Sequence, residues 1–205
     1  MAIELTNICK AYGANVVFDG FNCQIDEGAV TCVMGPSGDG KTTLLRLMLG
    51  LEQPDSGQIS GVQNQRKSVV FQEDRLCENL SAASNIRLVC RKPLKAGSIV
   101  EAMSAMDLAP DCAGQTVRSM SGGERRRVAI LRALMAEYDI LFMDEPFKGL
   151  DAETKERVML FTKELSRGKT VVFVTHDSAE CEEMGGKVIL LTRSAPHETP
   201  VEPLS

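Results

Sequence analysis

The chain has 205 residues, of which 43% are hydrophobic and 25% are charged, and its formal net charge is −5. These values are typical of a soluble domain with its own core, and they exclude the basic surface with which proteins bind nucleic acid, so no nucleic-acid partner is expected. No apolar run approaches the ~20 residues that span a bilayer, and the N-terminal MAIELTNICK lacks the basic and apolar regions of a secretory signal.

The predicted strands and helices alternate along most of the chain. Residues 1–28 and 56–66 have the pattern of short antiparallel strands joined by turns. Apolar runs rich in β-branched residues predict buried parallel strands at Ala29–Met34, Ser68–Phe71, Ile140–Met143, Thr170–Thr175 and Lys187–Leu191. Helices are predicted at Thr42–Leu49, Ser98–Leu108 and Ala152–Ser166. Strands that alternate with helices indicate an α/β domain with a parallel sheet.

Residues 73–130 interrupt this alternation, because they contain no convincing strand. The helix in this region is predicted to start with a capping box of Ser98 and Glu101. Its apolar side chains form one stripe that indicates ordinary core packing: Ile99, Met103 and Met106. The region is therefore predicted to be a helical subdomain.

We expect one domain over residues 1–205. Residues 1–72 and 131–192 would form the α/β core with its β subdomain, and the proline-rich residues 193–205 a flexible tail. The seven cysteines form no C-x-x-C pair, and several lie in apolar segments as buried reduced thiols do. The simplest interpretation of the cysteines is a cytoplasmic, metal-free protein.

Residues 35–42 read GPSGDGKT, which fits the pattern G-x-x-x-x-G-K-[ST] between a strand and a helix. Glycines there let backbone N–H groups surround phosphates, Lys41 would reach the β- and γ-phosphates, and the Thr42 hydroxyl would bind Mg²⁺. A chance glycine turn is the alternative, and the strand–loop–helix context favours nucleotide binding over it. The predicted nucleotide-binding residues are Gly35, Pro36, Ser37, Gly38, Asp39, Gly40, Lys41, Thr42 and Thr43.

Polar residues also follow the other buried strands, at the sheet edge where α/β proteins bind ligands. Asp144 is placed to hold Mg²⁺, and Glu145 to orient or deprotonate the water that attacks the γ-phosphate. Because Pro146 disfavours helical geometry in the preceding residue, Glu145 is expected to be extended. The alternative for this acid pair is a charged helix N-terminus.

Three further residues complete the predicted site. His176 follows a buried strand, where its imidazole N–H would contact the γ-phosphate, although a lone histidine is more often structural. Gln72 would bring an amide oxygen to Mg²⁺ or to the attacking water. Tyr12 would stack on adenine, or else pack in the core. The predicted catalytic residues are thus Glu145, His176 and Gln72, and the predicted Mg²⁺ ligands are Thr42, Gln72 and Asp144.

A second glycine pair lies in SMSGGERRRVAI, residues 119–130. A capping box of Ser121 and Glu124 explains the serine and the glutamate, but the glycines weaken the helix that they begin. Bare backbone at a helix N-terminus suits a close phosphate, and the phosphates of this chain already have the loop 35–42. The pair is therefore expected to serve a nucleotide held by another copy. The arginines at 125–127 are interpreted as a solvated helix face.

Here the sequence resembles the ABC ATPases. MSGGE resembles their signature motif, and GPSGDGKT, Gln72, ILFMDE, KGLD (148–151) and His176 occur in the family's order and at its spacing. The resemblance implies two subunits that sandwich two ATP molecules head to tail. Ser121, Gly122 and Gly123 would face the γ-phosphate on the partner's loop, and hydrolysis at Glu145 would let the dimer open.

The resemblance also implies a membrane partner. In ABC transporters a cytoplasmic helix of the permease docks in a groove that corresponds to residues 72–86 and on the helical subdomain. VFQEDRL resembles import ATPases of the nitrate, sulfonate and taurine type, and the correspondence weakens after Leu76. Three positions depart from the family. Asp39 puts an acid in the phosphate loop, Met120 replaces the usual leucine with a side chain of similar volume, and Lys148 replaces a serine or threonine, where it would pair with phosphate or with Asp39.

The sequence thus predicts an ATP-binding and ATP-hydrolysing subunit, cytoplasmic and peripheral to the inner face of the membrane, that works as a homodimer and powers an importer of a small solute. A soluble ABC ATPase in cofactor assembly remains an alternative. ABC ATPases of DNA repair, chromosome maintenance and translation are disfavoured, because they need long insertions or a second ATPase unit and this sequence shows neither. A P-loop kinase or switch GTPase needs neither SMSGGE nor His176.

Overall fold

The computed structural model describes residues 2–92, 96–192 and 201–202. Its strands are β1 Ile3–Tyr12, β2 Asn15–Ile25, β3 Val30–Met34, β4 Ser56–Ser60, β5 Lys67–Val70, β6 Ile140–Asp144, β7 Thr170–Val174, β8 Lys187–Leu190 and β9 Val201–Glu202. Its helices are α1 Lys41–Leu49, α2 Ala82–Arg87, α3 Ala96–Ala105, α4 Gly122–Met135, α5 Ala152–Leu165 and α6 Ser178–Met184.

The main sheet has the strand order β5-β6-β7-β3-β8-β9. Its first five strands are parallel, and β9 pairs antiparallel with β8. Every residue of β6 and β7 is buried, because helices and the second sheet cover both faces. The predicted α/β class and all five predicted parallel strands are confirmed, with ends that differ by a residue or so.

Alternate residues of each central strand pack into two separate cores. In β6, Leu141 and Met143 join the core under α2 to α6, whereas Ile140 and Phe142 join the core formed with α1 and the smaller sheet. The smaller sheet has the order β2-β1-β4, with antiparallel pairing throughout. The predicted antiparallel strands in the N-terminal region are therefore confirmed, and they cover one face of the main sheet.

The helical region packs on the other face. The stripe Ile99, Met103 and Met106 is fully buried, as predicted. The predicted capping box at Ser98 is wrong, because α3 begins at Ala96 and places Ser98 inside its first turn. Helix α4 runs without a break across the boundary expected at 130/131.

The cysteines include one pair that the sequence did not reveal. Cys32 in β3 and Cys181 in α6 are both buried and form a disulfide. The prediction of reduced thiols is wrong for this pair, because α6 packs on the face of the sheet to which Cys32 points and brings together residues 149 positions apart. Cys9, Cys23, Cys77, Cys90 and Cys112 are free thiols.

Within the residues that the structure describes, no helix is both long and apolar enough to cross a bilayer. The tail expected at 193–205 lies outside the described residues, apart from the two residues of β9.

Candidate active site

Residues 35–42, which we call the phosphate loop, run from the end of β3 into the first turn of α1, as predicted. Two of its glycines are required by the packing of the chain itself, since a Cβ at Gly35 would lie 2.5 Å from the Leu191 carbonyl oxygen and one at Gly40 would lie 2.4 Å from a methyl of Val17. Gly40 also has φ 91 and caps α1, so the helix N-terminus points into the loop. The backbone is thus shaped to bind an anion at the start of α1.

Lys41 and Thr42 turn their polar groups toward the same loop and sheet edge. The Lys41 ammonium donates to the carbonyl oxygens of Gly35 and Pro36, at 2.6 Å each, and so lies across the loop. The Thr42 hydroxyl donates to Asp144 Oδ2 at 2.9 Å. The first residues of α1 are therefore in direct contact with the end of β6.

Asp144 is the last residue of β6 and is only 6% exposed. Burial raises the pKa of its carboxyl, the hydrogen bond from Thr42 lowers it, and the neighbouring Glu145 raises it further. A hydroxyl oxygen beside a carboxylate is a donor set of the kind that Mg²⁺ accepts, because this hard cation prefers oxygen ligands and one or two carboxylates.

Glu145 contacts two basic side chains. Its Oε2 accepts from Lys148 Nζ at 2.6 Å, and its Oε1 lies 3.6 Å from His176 Nδ1. The hydrogen bond from Lys148 is the largest of the causes that lower the Glu145 pKa. Within one chain Lys148 thus contacts Glu145, and its pairing with phosphate or with Asp39 stays a prediction.

The expectation that Glu145 is extended is wrong. Its φ is 46, in the left-handed region that non-glycine residues rarely adopt. The local effect of Pro146 is overcome by tertiary hydrogen bonds to the backbone at this turn, which come from Arg126.

A cleft of about 330 Å³ collects most of the predicted residues. The predicted residues that line it are Tyr12, Ser37, Gly38, Gly40, Lys41, Thr42, Thr43, Gln72, Asp144 and Glu145. Asn15 and Val17 line it as well and were missed, although their position just after Tyr12 in the β1–β2 hairpin was a usable signal. The predicted residues outside its lining are Gly35, Pro36, Asp39, His176, Ser121, Gly122 and Gly123.

Tyr12 lies at the mouth of this cleft. Its side chain is 46% exposed, which rules out the core-packing alternative. Its hydroxyl donates to Glu52, and burial of the hydroxyl together with that carboxylate raises its pKa. The ring is therefore held beside the phosphate loop with much of its surface open.

The second glycine pair begins α4. Ser121 caps the helix by accepting from the Glu124 N–H, and the Glu124 carboxylate accepts from the Ser121 N–H at 2.8 Å, so the predicted capping box is confirmed. Neither Gly122 nor Gly123 has a positive φ, and a Cβ at Gly122 would meet no atom of the described residues within 4 Å. The two glycines line a second cavity of about 310 Å³, together with Gln72, Asp74, Arg126, Glu145, Lys148 and Gly149.

The sequence predicted a solvated helix face for the arginines at 125–127, and this prediction is wrong for Arg126. Arg126 is only 6% exposed, and its guanidinium donates to backbone carbonyls at the ends of β5 and β6. The sequence contained only a weak signal that Arg126 is buried. That signal is its position in the helix just before the buried residues Val128, Ala129 and Ile130.

A phosphate loop after β3, carboxylates at the end of β6 and a glycine-first helix on this α/β fold define an ATP-binding cassette. The chain belongs to the ABC transporter family, whose model matches residues 18–148. The predicted family and the predicted fold are both confirmed.

Named relatives agree with this assignment. The chain is 32% identical over 212 residues to the sulfate/thiosulfate import ATP-binding protein CysA of Bradyrhizobium diazoefficiens, covering 94% of this chain and 62% of that protein. It is 36% identical over 195 residues to the aliphatic sulfonates import ATP-binding protein SsuB 1 of Nocardia farcinica, covering 94% of this chain and 79% of that protein. The chain thus spans about three-fifths of the length of the sulfate relative.

A solved structure has the same architecture. The dimeric ATP-binding cassette MJ0796, in a post-hydrolysis state with ADP and Pi, superposes with a TM-score of 0.80 at 28% identity, over 93% of this chain and 94% of that one.

Proposed function

We propose that this chain binds and hydrolyses ATP as the ATP-binding subunit of a membrane importer of a small solute. The observation that carries the proposal is the open space beside Gly122 and Gly123, in a cavity whose lining includes Gln72 and Glu145 but no residue of the phosphate loop of the same chain. Among the residues that the structure describes, nothing in the backbone or the packing requires glycine at these two positions, so the space left by the missing side chains can be filled by a group from another molecule.

In the proposed complex two subunits associate head to tail with an ATP in each phosphate loop. Residues 35–43 bind the phosphates through backbone N–H groups and the Lys41 ammonium, and Tyr12 stacks on the adenine. Ser121, Gly122 and Gly123 then contact the γ-phosphate on the partner's loop. The default is a homodimer with two active sites.

Glu145 is proposed to orient the attacking water and to accept its proton. Gln72 and Glu145 line the same cleft, which supports a contact of the Gln72 amide with that water as well. His176 lies near Glu145 Oε1 and would contact the γ-phosphate through its imidazole N–H. Thr42, Gln72 and Asp144 would hold Mg²⁺, which supplies charge neutralisation for the phosphates.

The membrane partner is proposed to dock in the groove that starts at residue 72. A small cleft lies there, lined on one side by Leu45 and Leu49 of α1 and on the other by Phe71, Glu73 and Arg75. Its mixture of apolar and charged groups suits a short amphipathic helix of a permease. Docking of this kind would put the chain at the inner face of a membrane. Relatives named for sulfate and sulfonate import support a small solute as cargo.

The test is the mass in solution of Glu145→Gln, with and without ATP and Mg²⁺, alongside ATPase assays of wild type and variant. A dimer that forms only with ATP, together with lost hydrolysis, would support the sandwich. A variant that binds ATP and stays monomeric, even when the permease is present, would refute it. Copurification of the wild-type chain with an integral membrane protein would separate transport from cofactor assembly.

A further inference from the structure

Arg126 joins three segments of the candidate active site. Its Nη1 donates to the carbonyl oxygens of Phe71 at 2.6 Å and Gln72 at 3.3 Å, at the end of β5. Nη2 donates to the carbonyl oxygens of Asp144 at 2.9 Å and Glu145 at 2.7 Å. Nε donates to the carbonyl oxygen of Pro146 at 2.7 Å. One side chain of α4 therefore fastens the ends of two strands.

Three of these acceptors are successive carbonyls, which an extended chain would not present to one cation. In a strand, successive carbonyls point to opposite sides. The left-handed φ of 46 at Glu145 turns the carbonyls of Asp144, Glu145 and Pro146 toward the same guanidinium. Since the side-chain preference of glutamate and the effect of Pro146 both disfavour this conformation, a tertiary contact has to hold it.

The environment of Arg126 fits that role better than an ordinary ion pair. The guanidinium is almost fully buried, and within the described part of the chain it forms an ion pair with Asp74, at 3.4 Å. Backbone carbonyls are its main partners, and a planar guanidinium can donate to several of them in a fixed arrangement. A lysine would offer fewer donors from a single point.

We propose that Arg126 is a positioning residue for hydrolysis, which holds the backbone of Glu145 in the conformation that directs its carboxylate and ties that backbone to α4. This inference rests on the proposed role of Glu145. Gly123 and Arg126 lie one turn apart on the same helix. Because α4 carries both the glycines and Arg126, contact of the glycines with the partner's ATP influences the position of the Glu145 backbone in the same subunit.

The experiment compares Arg126→Gln and Arg126→Lys with Val128→Ala, in the full chain. Val128 is a buried residue of α4 whose side chain cannot donate a hydrogen bond to the strand ends, so its truncation controls for lost packing. The measurements are kcat and KM for ATP, and the melting temperature with and without ATP. We expect Arg126→Gln to lower kcat by about 10- to 100-fold, because misplacing a catalytic group by about 1 Å has effects of this order. KM should change less than about threefold, and Arg126→Lys should recover part of kcat.

Val128→Ala should keep kcat at temperatures where it is folded. The inference is overturned if Arg126→Gln loses no more kcat than Val128→Ala, or if Arg126→Lys is folded and as active as wild type. The lysine variant decides the matter if the glutamine variant does not fold. Glu145→Gln is measured in parallel. If that variant still hydrolyses ATP, the proposed role of Glu145 fails. If Glu145→Gln loses ATP hydrolysis and Arg126→Gln keeps a normal kcat, only the inference about Arg126 is overturned.

Discussion

Replacing Gly123 by alanine is expected to stabilise the isolated subunit and to prevent its ATP-dependent association. A Cβ at this position would lie 3.7 Å from Arg127 Nη1 and 3.9 Å from a methyl of Leu150, which are ordinary van der Waals distances. Alanine loses less backbone entropy than glycine in a helix, which is worth about 0.5–1 kcal/mol. For a chain of this size the melting temperature should rise by about 1–4 °C.

The same methyl group would lie where the partner's γ-phosphate is proposed to approach the backbone. We therefore expect Gly123→Ala, in a Glu145→Gln background, to remain monomeric with ATP in light-scattering measurements. Calorimetry without nucleotide measures the stability change in the same sample. A variant that melts below the parent, or that still dimerises with ATP, would refute the assignment of this glycine to a partner nucleotide.

Gly40→Ala provides the matched comparison. Gly40 has φ 91, and its Cβ would lie 2.4 Å from Val17, so alanine there is strained within the subunit. We expect this variant to melt below the parent and to bind ATP weakly. Opposite stability changes at two glycines would separate a glycine that the fold requires from one that a partner requires.

Two further predictions concern ion pairs. Lys148→Ser removes the ammonium partner of Glu145 Oε2. Because an ion pair near the surface is worth up to about 1 kcal/mol, we expect the ATPase rate to change by up to about fivefold. An unchanged rate together with unchanged ATP affinity would exclude a role for Lys148. Arg66 holds the pKa of Asp139 well below its ordinary value of 3.8, so the pair stabilises the fold above that pH and the stabilisation is lost as the pH falls. Asp139→Asn should therefore show a shallower fall of melting temperature between pH 5 and pH 2 than wild type, and parallel curves would contradict this.

The sequence by itself determined the features that depend on neighbouring residues. The strand, glycine loop and helix around GPSGDGKT are local in the chain, and so is the capping box at Ser121. The nearly continuous apolar runs of β6 and β7 identified buried parallel strands, because strands covered on both faces have few polar positions. Because these parallel strands all end at the same edge of the sheet, the polar residues that follow them were expected to lie close together.

Only the tertiary structure decided the contacts between distant segments. The disulfide of Cys32 with Cys181, the burial of Arg126 and the left-handed turn at Glu145 all arise where a helix packs on the main sheet. Residues that meet there are up to 149 positions apart, and no pattern of period 2 or 3.6 relates them. Local preferences favoured an extended Glu145 and a solvated Arg126, and the hydrogen bonds formed between the two segments on packing reversed both.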